Sequence, residues 1–284
     1  MPKTAKTAPS QGWTVATVIE QLEDLWPESG AEAWDSPGLV VGDPHQRVTS
    51  IHLMVDAVAG SIDEALEQGA DLIIAHHPLL LRPVTTVAES NYKGSIVSKV
   101  IRGGASLYAA HTNADVVPTG TSAVLADALG LKNQVPLAPS ERPGYGLGRV
   151  GVLEESMSLY ELAVALGEVL PQTAVGPVVA GDPEQRVSRV SLCAGAGDSL
   201  LSHPAVLASD VYITSDLRHH PASEAREQAL LASGPALINI SHFGAEWLWL
   251  DTAAEQLRER LGIDVVVSDL TTDPWTFQVQ RVEA

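Results

Sequence analysis

Short apolar runs, each followed by a stretch with helical period, recur along this chain and leave it few folds to adopt. Residues 48–55, 70–75, 106–110, 187–193, 211–214 and 236–240 read as strands. Residues 14–25, 61–68, 95–102, 121–129, 158–170, 221–231 and 245–261 read as helices. In the first helix Val15, Val18, Ile19, Leu22 and Leu25 keep the i, i+3, i+4 spacing, and Pro27 ends it. Gly69, Gly103-Gly104 and Gly130 close the next helices, as glycine does at a C-terminus. Residues 34–42 form a turn into a short strand, and further strands fall near 149–153, 174–179, 264–267 and 276–282. A helix is expected from about Ser199. Such alternation builds an α/β fold, with a largely parallel sheet and helices on its faces.

The chain has 284 residues, enough for two domains or one large one, and 45% of them are hydrophobic, enough for a core. The Pro/Gly-rich stretch 136–151 reads as a domain junction or a wide loop. Acidic residues number 35 and basic ones 17, a formal charge of −18. That balance disfavours a nucleic-acid partner, which needs a basic face. It suits a soluble protein that concentrates divalent cations. Cys193 is the single cysteine, so no internal disulfide or Cys-rich zinc site is available. Residues 1–12 are polar and read as a frayed tail with no secretory signal, and no apolar segment reaches the roughly 18 residues that span a membrane. A cytoplasmic location is therefore expected.

Metal-type ligands sit at the ends of four strands. His76-His77-Pro78 follows the apolar run 70–75, and His111 to Asp115 follows 106–110. Thr214-Ser215-Asp216 with His219-His220 follows 211–213, and Ser241-His242 with Glu246 follows 236–240. In open α/β sheets, ligands bind at the carboxyl ends of strands. Neighbouring residues on an extended chain point to opposite sides, so His76 and His77 suit two ions lying side by side better than one shared ion. His242 and Glu246 are four apart at a helix start, hence on one face. Mixed imidazole and carboxylate donors suit Zn, Mn, Fe, Co or Ni. Residue chemistry alone leaves two readings open: metal ligands, or strand-end histidines satisfied by the backbone. Gly195-Ala196-Gly197 lacks the third glycine of a dinucleotide fingerprint, since Leu200 stands there, and reads as a tight turn rather than a phosphate cradle. Cys193 reads as inert core, and His45, His52 and His203 as ordinary surface or turn residues.

Taken in order, these segments resemble the NIF-three-like family (NGG-one-interacting factor three), whose members are labelled GTP cyclohydrolase 1 type 2 homologues. The resemblance includes Asp35-Ser36-Pro37-Gly38-Leu39 and Cys193-Ala194-Gly195-Ala196-Gly197 and runs from about residue 13 to 282. Two departures are Ser215 where the family usually has Gly, and Ser36 where Asn is common. The resemblance implies two α/β domains facing a cleft, the first discontinuous: residues 13–133 plus 236–284, then 134–235. It implies a dinuclear centre of two divalent ions held by His76, His77, Asp115, His242 and Glu246, all in the first domain, with Asp115 and Glu246 bridging. His111 and His220 would face the same cleft as candidate acid–base groups, and the assembly would be a homo-hexamer.

The function expected from this is metal-assisted hydrolysis of a nucleotide or phosphoester. The rival is a non-catalytic metal-binding, delivery or adaptor protein.

Overall fold

Two sheets organise the chain, and helices pack against each. A computed structural model describes residues 12–279; the expected polar tail, apart from Gly12, lies outside them. In order, the elements are α1 (Val15–Leu25), β1 (Gly38–Val41), β2 (Ser50–Asp56), α2 (Ala59–Glu67), β3 (Leu72–His77), α3 (Tyr92–Arg102), β4 (Ser106–Ala109), α4 (Thr112–Asp115) and α5 (Thr121–Ala128). There follow β5 (Lys132–Pro139), β6 (Gly146–Ser158), α6 (Leu159–Val169), β7 (Val178–Ala180), β8 (Arg186–Ala196), α7 (Pro204–Leu207) and β9 (Val211–Ser215). The last are α8 (His219–Ala232), β10 (Ala236–Ile240), α9 (His242–Leu261) and β11 (Asp264–Val267).

The first unit comprises the described part of Met1–Val117 together with Leu250–Thr272. Its sheet has the order β1-β4-β3-β2-β11. All its strands run parallel except β1, which is antiparallel to β4. Interior parallel strands are covered on both faces, which is why 72–76 is an unbroken buried run rather than an alternating one. Met54, Ile62, Ile73, Ile96, Val100 and Leu107 form its core with α2 and α3. Thr14 caps α1, accepting from the backbone N–H of Thr17, while the Thr17 hydroxyl accepts from that of Thr14.

The second unit is Pro118–Trp249 with the described residues from Asp273 onward. Its six-stranded mixed sheet has the order β5-β6-β8-β9-β10-β7. Leu125 of α5 and Leu162 and Leu166 of α6 pack with Val190, Leu192, Ile213 and Ile238. Ser158 and Glu161 close a capping box at the start of α6.

Several expectations change. Residues 136–151 are not a junction but most of the β5–β6 hairpin. Among the described residues strand β5 bonds only to β6, so the missing N–H groups of Pro136 and Pro139 fall on a sheet edge, where proline is tolerated. Gly146, at φ +147°, approaches its partner strand so closely that a Cβ would lie 2.3 Å from the Ala138 carbonyl oxygen. The helix expected from Ser199 is a three-residue 3₁₀ turn (Asp198–Leu200), followed by the four-residue α7. Residues 276–279 form no strand, and 280–282 lie outside the described residues. His52 is buried, not superficial, because β2 lies between β3 and β11; its Nε2 meets Glu64 Oε2 at 3.2 Å.

The unit boundaries also differ from 133/134 and 235/236. Strand β10 pairs with β9 and β7, and α5 packs on β6 and β8, which puts residues 118–133 and 236–249 with the second sheet. His242 and Glu246 therefore stand in the second unit, whereas His76, His77, His111 and Asp115 stand in the first. Among the described residues no helix is long and apolar enough to cross a membrane.

Candidate metal centre

In the first unit, β3 ends at His76-His77, and the next strand, β4, leads into His111, which precedes α4. Parallel register of β3 and β4 aligns these ends. The three imidazoles meet with ring centroids 5.1 Å (His76–His77), 5.3 Å (His76–His111) and 5.5 Å (His77–His111) apart. One ring nitrogen from each lies within 4.8 Å of the other two. Asp115, one helical turn beyond His111, brings Oδ1 to 3.7 Å from His76 Nε2.

Each of the three rings is held by an oxygen at Nδ1. His76 Nδ1 donates to the Ala110 carbonyl at 2.8 Å. His77 Nδ1 pairs with Asp56 Oδ1 at 2.7 Å, and Asp56 Oδ2 accepts the Thr272 hydroxyl. His111 Nδ1 pairs with Asp35 Oδ1 at 2.8 Å. Fixing Nδ1 as the donor leaves Nε2 as the nitrogen able to ligate, the arrangement usual behind metal-bound histidines. These donors fit a first-row divalent ion of the zinc, manganese or iron type better than Ca or Mg.

Asp35 is the firmest of these anchors. Burial would raise its pKa, but hydrogen bonds from His111 and Thr112, the His111 charge and the Ser36 N–H hold the carboxyl well below the usual carboxylate range. Its second oxygen accepts both the backbone N–H (3.0 Å) and the hydroxyl (2.5 Å) of Thr112. Asn113 fixes the turn itself: its side-chain oxygen accepts from the His111 N–H, and its amide donates to the Trp26 carbonyl.

The second unit carries a different arrangement. His242 opens α9, its Nδ1 2.7 Å from Asp216 Oδ2 and its Nε2 2.9 Å from Glu246 Oε1. Burial would lower the His242 pKa, but the Glu246 charge, hydrogen bonds to both carboxylates and the Asp216 charge drive it up to about 11. The buried Glu246 carboxylate fits against Gly195, where a Cβ would lie 2.6 Å from Oε1. Gly195 adopts φ +90°. Its carbonyl accepts the Thr214 hydroxyl, and the Gly197 carbonyl accepts that of Tyr212. The Gly195-Ala196-Gly197 segment thus packs against β9 and makes room for a carboxylate.

Of the residues singled out in the sequence, the structure gathers His76, His77, His111 and Asp115 in one unit, and joins His242 to Glu246 in the other. His220 is exposed in the first turn of α8, its ring against His219, and is not part of the His242–Glu246 pair. Ser215 is buried at the end of β9, and the left-handed residue there is the next one, Asp216, at φ +54°. Cys193 lies in a buried cluster with Leu137, Val150 and Tyr212. Sequence reasoning missed Asp56 and gave no role to Asp35 or Asp216. Asp56 had a partial signal, since it ends an apolar strand as His76-His77 does; its place opposite His77 in the β2–β3 ladder came only with the structure.

Fold and site together define a class: two-unit α/β proteins with a strand-end histidine group of metal-ligating type. The chain belongs to the Duf34/NIF3 (NGG1p interacting factor 3) family, whose model matches residues 13–274. A protein of Streptomyces coelicolor named GTP cyclohydrolase 1 type 2 homolog is 46% identical, over 93% of this chain and 94% of that one. NIF3-like protein 1 of Drosophila melanogaster is 30% identical, over 93% of this chain and 89% of that one. Among solved structures, the Staphylococcus aureus hypothetical protein SA1388 superposes with a TM-score of 0.84 at 27% identity, covering 93% of this chain and 99% of that one.

Proposed function

We propose that His76, His77, Asp115, His242 and Glu246 hold two first-row divalent ions, and that the protein hydrolyses a nucleotide or another phosphoester. The observation that carries the reading is the shared anchoring of His76, His77 and His111, each with Nδ1 tied to an oxygen. Such anchoring settles ring orientation before a ligand arrives, which is what a ligating imidazole requires. Bound ions of this kind supply Lewis acidity toward a carbonyl or phosphoryl oxygen and make water more acidic.

His111 is assigned proton transfer at Nε2, since Asp35 fixes its other nitrogen. His220 is the lesser candidate, because its ring contact with His219 does not fix a tautomer. The nucleotide class follows the name printed for the Streptomyces relative. With a formal charge of −18, a polyphosphate needs the metal ions as its counter-charge, and Arg218 is already engaged by Asp198. The family resemblance adds a homo-hexamer, which light scattering checks.

Elemental analysis of natively purified protein tests the metal reading. About two first-row ions per chain, reduced in Glu246→Gln, support the two-metal stoichiometry. A chain that takes up no metal on add-back defeats it. Metal-dependent turnover of GTP or of a nitrophenyl phosphodiester tests the hydrolase. Full metal load without turnover on a broad nucleotide and phosphoester panel favours the metal-binding or delivery role.

A further inference from the structure

Trp34 is 62% exposed and Trp275 68%, whereas Trp13, Trp26 and Trp249 are buried. Its indole is nearly perpendicular to the His111 ring, with centroids 5.8 Å and planes 76° apart. The turn that carries it is fixed on both sides. The Glu32 N–H donates to Thr112 Oγ1 at 3.0 Å, the Asp35 N–H donates to the Glu32 carbonyl, and the Asp35 carboxylate is held by His111 and Thr112. A large apolar ring is thus held open to solvent on a rigid support, beside the histidine group. Rigid presentation lowers the entropy lost when such a ring is covered by a ligand.

We propose that Trp34 is the stacking platform for a planar heteroaromatic ring of the substrate, a nucleobase or a ring of similar size, and so sets specificity for that class. The proposal rests on the metal-dependent reading of the histidine group given above. An indole face accepts any base, because every base offers a π-face. Contact with His111 puts the platform next to the residue assigned proton transfer, so a ring stacked there lies beside that imidazole. The strongly negative charge argues for a single small molecule rather than a nucleic-acid strand.

The test uses calorimetric binding of GMP and of ribose 5-phosphate to metal-supplemented wild type, Trp34→Phe and Trp34→Ala, with metal content measured on each sample. The expected result is a drop in GMP affinity of about ten- to hundredfold in Trp34→Ala, a much smaller drop in Trp34→Phe, and ribose 5-phosphate affinity alike in all three. Unchanged metal content in the variants separates this from damage to the histidine group. Equal GMP affinity in wild type and Trp34→Ala overturns the proposal. So does wild type binding GMP no better than ribose 5-phosphate. A change in oligomer size in Trp34→Ala with GMP affinity intact also overturns it and makes the indole an interface residue. Failure of the metal reading appears separately, as wild type that takes up no metal, and the GMP comparison still decides the role of Trp34.

Discussion

The strand-end histidines of the first unit and His242 of the second solve the same problem in opposite ways. His76, His77 and His111 each give one nitrogen to an oxygen and keep Nε2 for the shared space, so the three rings are oriented before any ligand arrives. His242 has an acidic oxygen at each nitrogen, Asp216 at Nδ1 and Glu246 at Nε2, and its pKa is driven up to about 11. It is an ion pair already satisfied, and it can bind a metal only by giving up a proton. Anchoring by one oxygen prepares a ligand; enclosure by two makes a lock that an ion must open.

The sharpest way to break this contrast is to remove ligands from each side. Glu246→Ala is expected to lose both ions, and His76→Ala mainly one, as read by elemental analysis. Two full ions retained by Glu246→Ala would end the bridging assignment. Next in size is Asp56→Asn, which leaves every proposed ligand in place but loosens His77. Metal affinity should fall about ten- to hundredfold in a competition titration against a chelator, and no change would mean that the Nδ1 anchor is incidental.

A smaller effect separates the two arrangements by pH. His242 is raised from 6.5 to about 11, so in the metal-free protein it carries its proton across the neutral range. Affinity for the ion that uses His242 should therefore rise by up to about tenfold per pH unit until pH nears 11, with proton release detected by calorimetry in buffers of different ionisation enthalpy. For the metal-free fold the sign is opposite. A raised histidine pKa stabilises fully below 6.5, and this contribution fades as the pH climbs through the folded value of about 11. Smallest is Gly195→Ala, which forces a side chain into φ +90° and against Glu246. A stability loss of about 1–2 kcal/mol in thermal unfolding is expected, and an unchanged melting temperature would show that the carboxylate moves aside at no cost.

Strand ends were the legible part of this molecule. The run 70–75 and its histidine pair needed only local sequence, and so did the α6 capping box at Ser158 and Glu161. What depended on register was hidden. Asp56 reaches His77 because β2 and β3 run parallel with those residues opposite, a pairing across a separation of 21 positions that the sequence does not announce. Gly195 makes room for Glu246 only once β8 and α9 come together. The β5–β6 hairpin was obscured by its own prolines and glycines, which signal a loop unless the strand is known to be an edge.

The sheet of the first unit closes with β11, whose Asp264 and Val265 pair with Ser50 and Ile51, and Trp13 Nε1 bonds the Leu261 carbonyl across 248 positions. On a ribosome, β2 emerges long before the strand that covers its edge. Most of the second unit is encoded in between, so it can mature before the first unit, whose sheet keeps one margin bare until residues 264–267 are made. A chain stopped before residue 264 would keep both histidine groups and still present β2 as an open margin, ready to pair with other chains and aggregate.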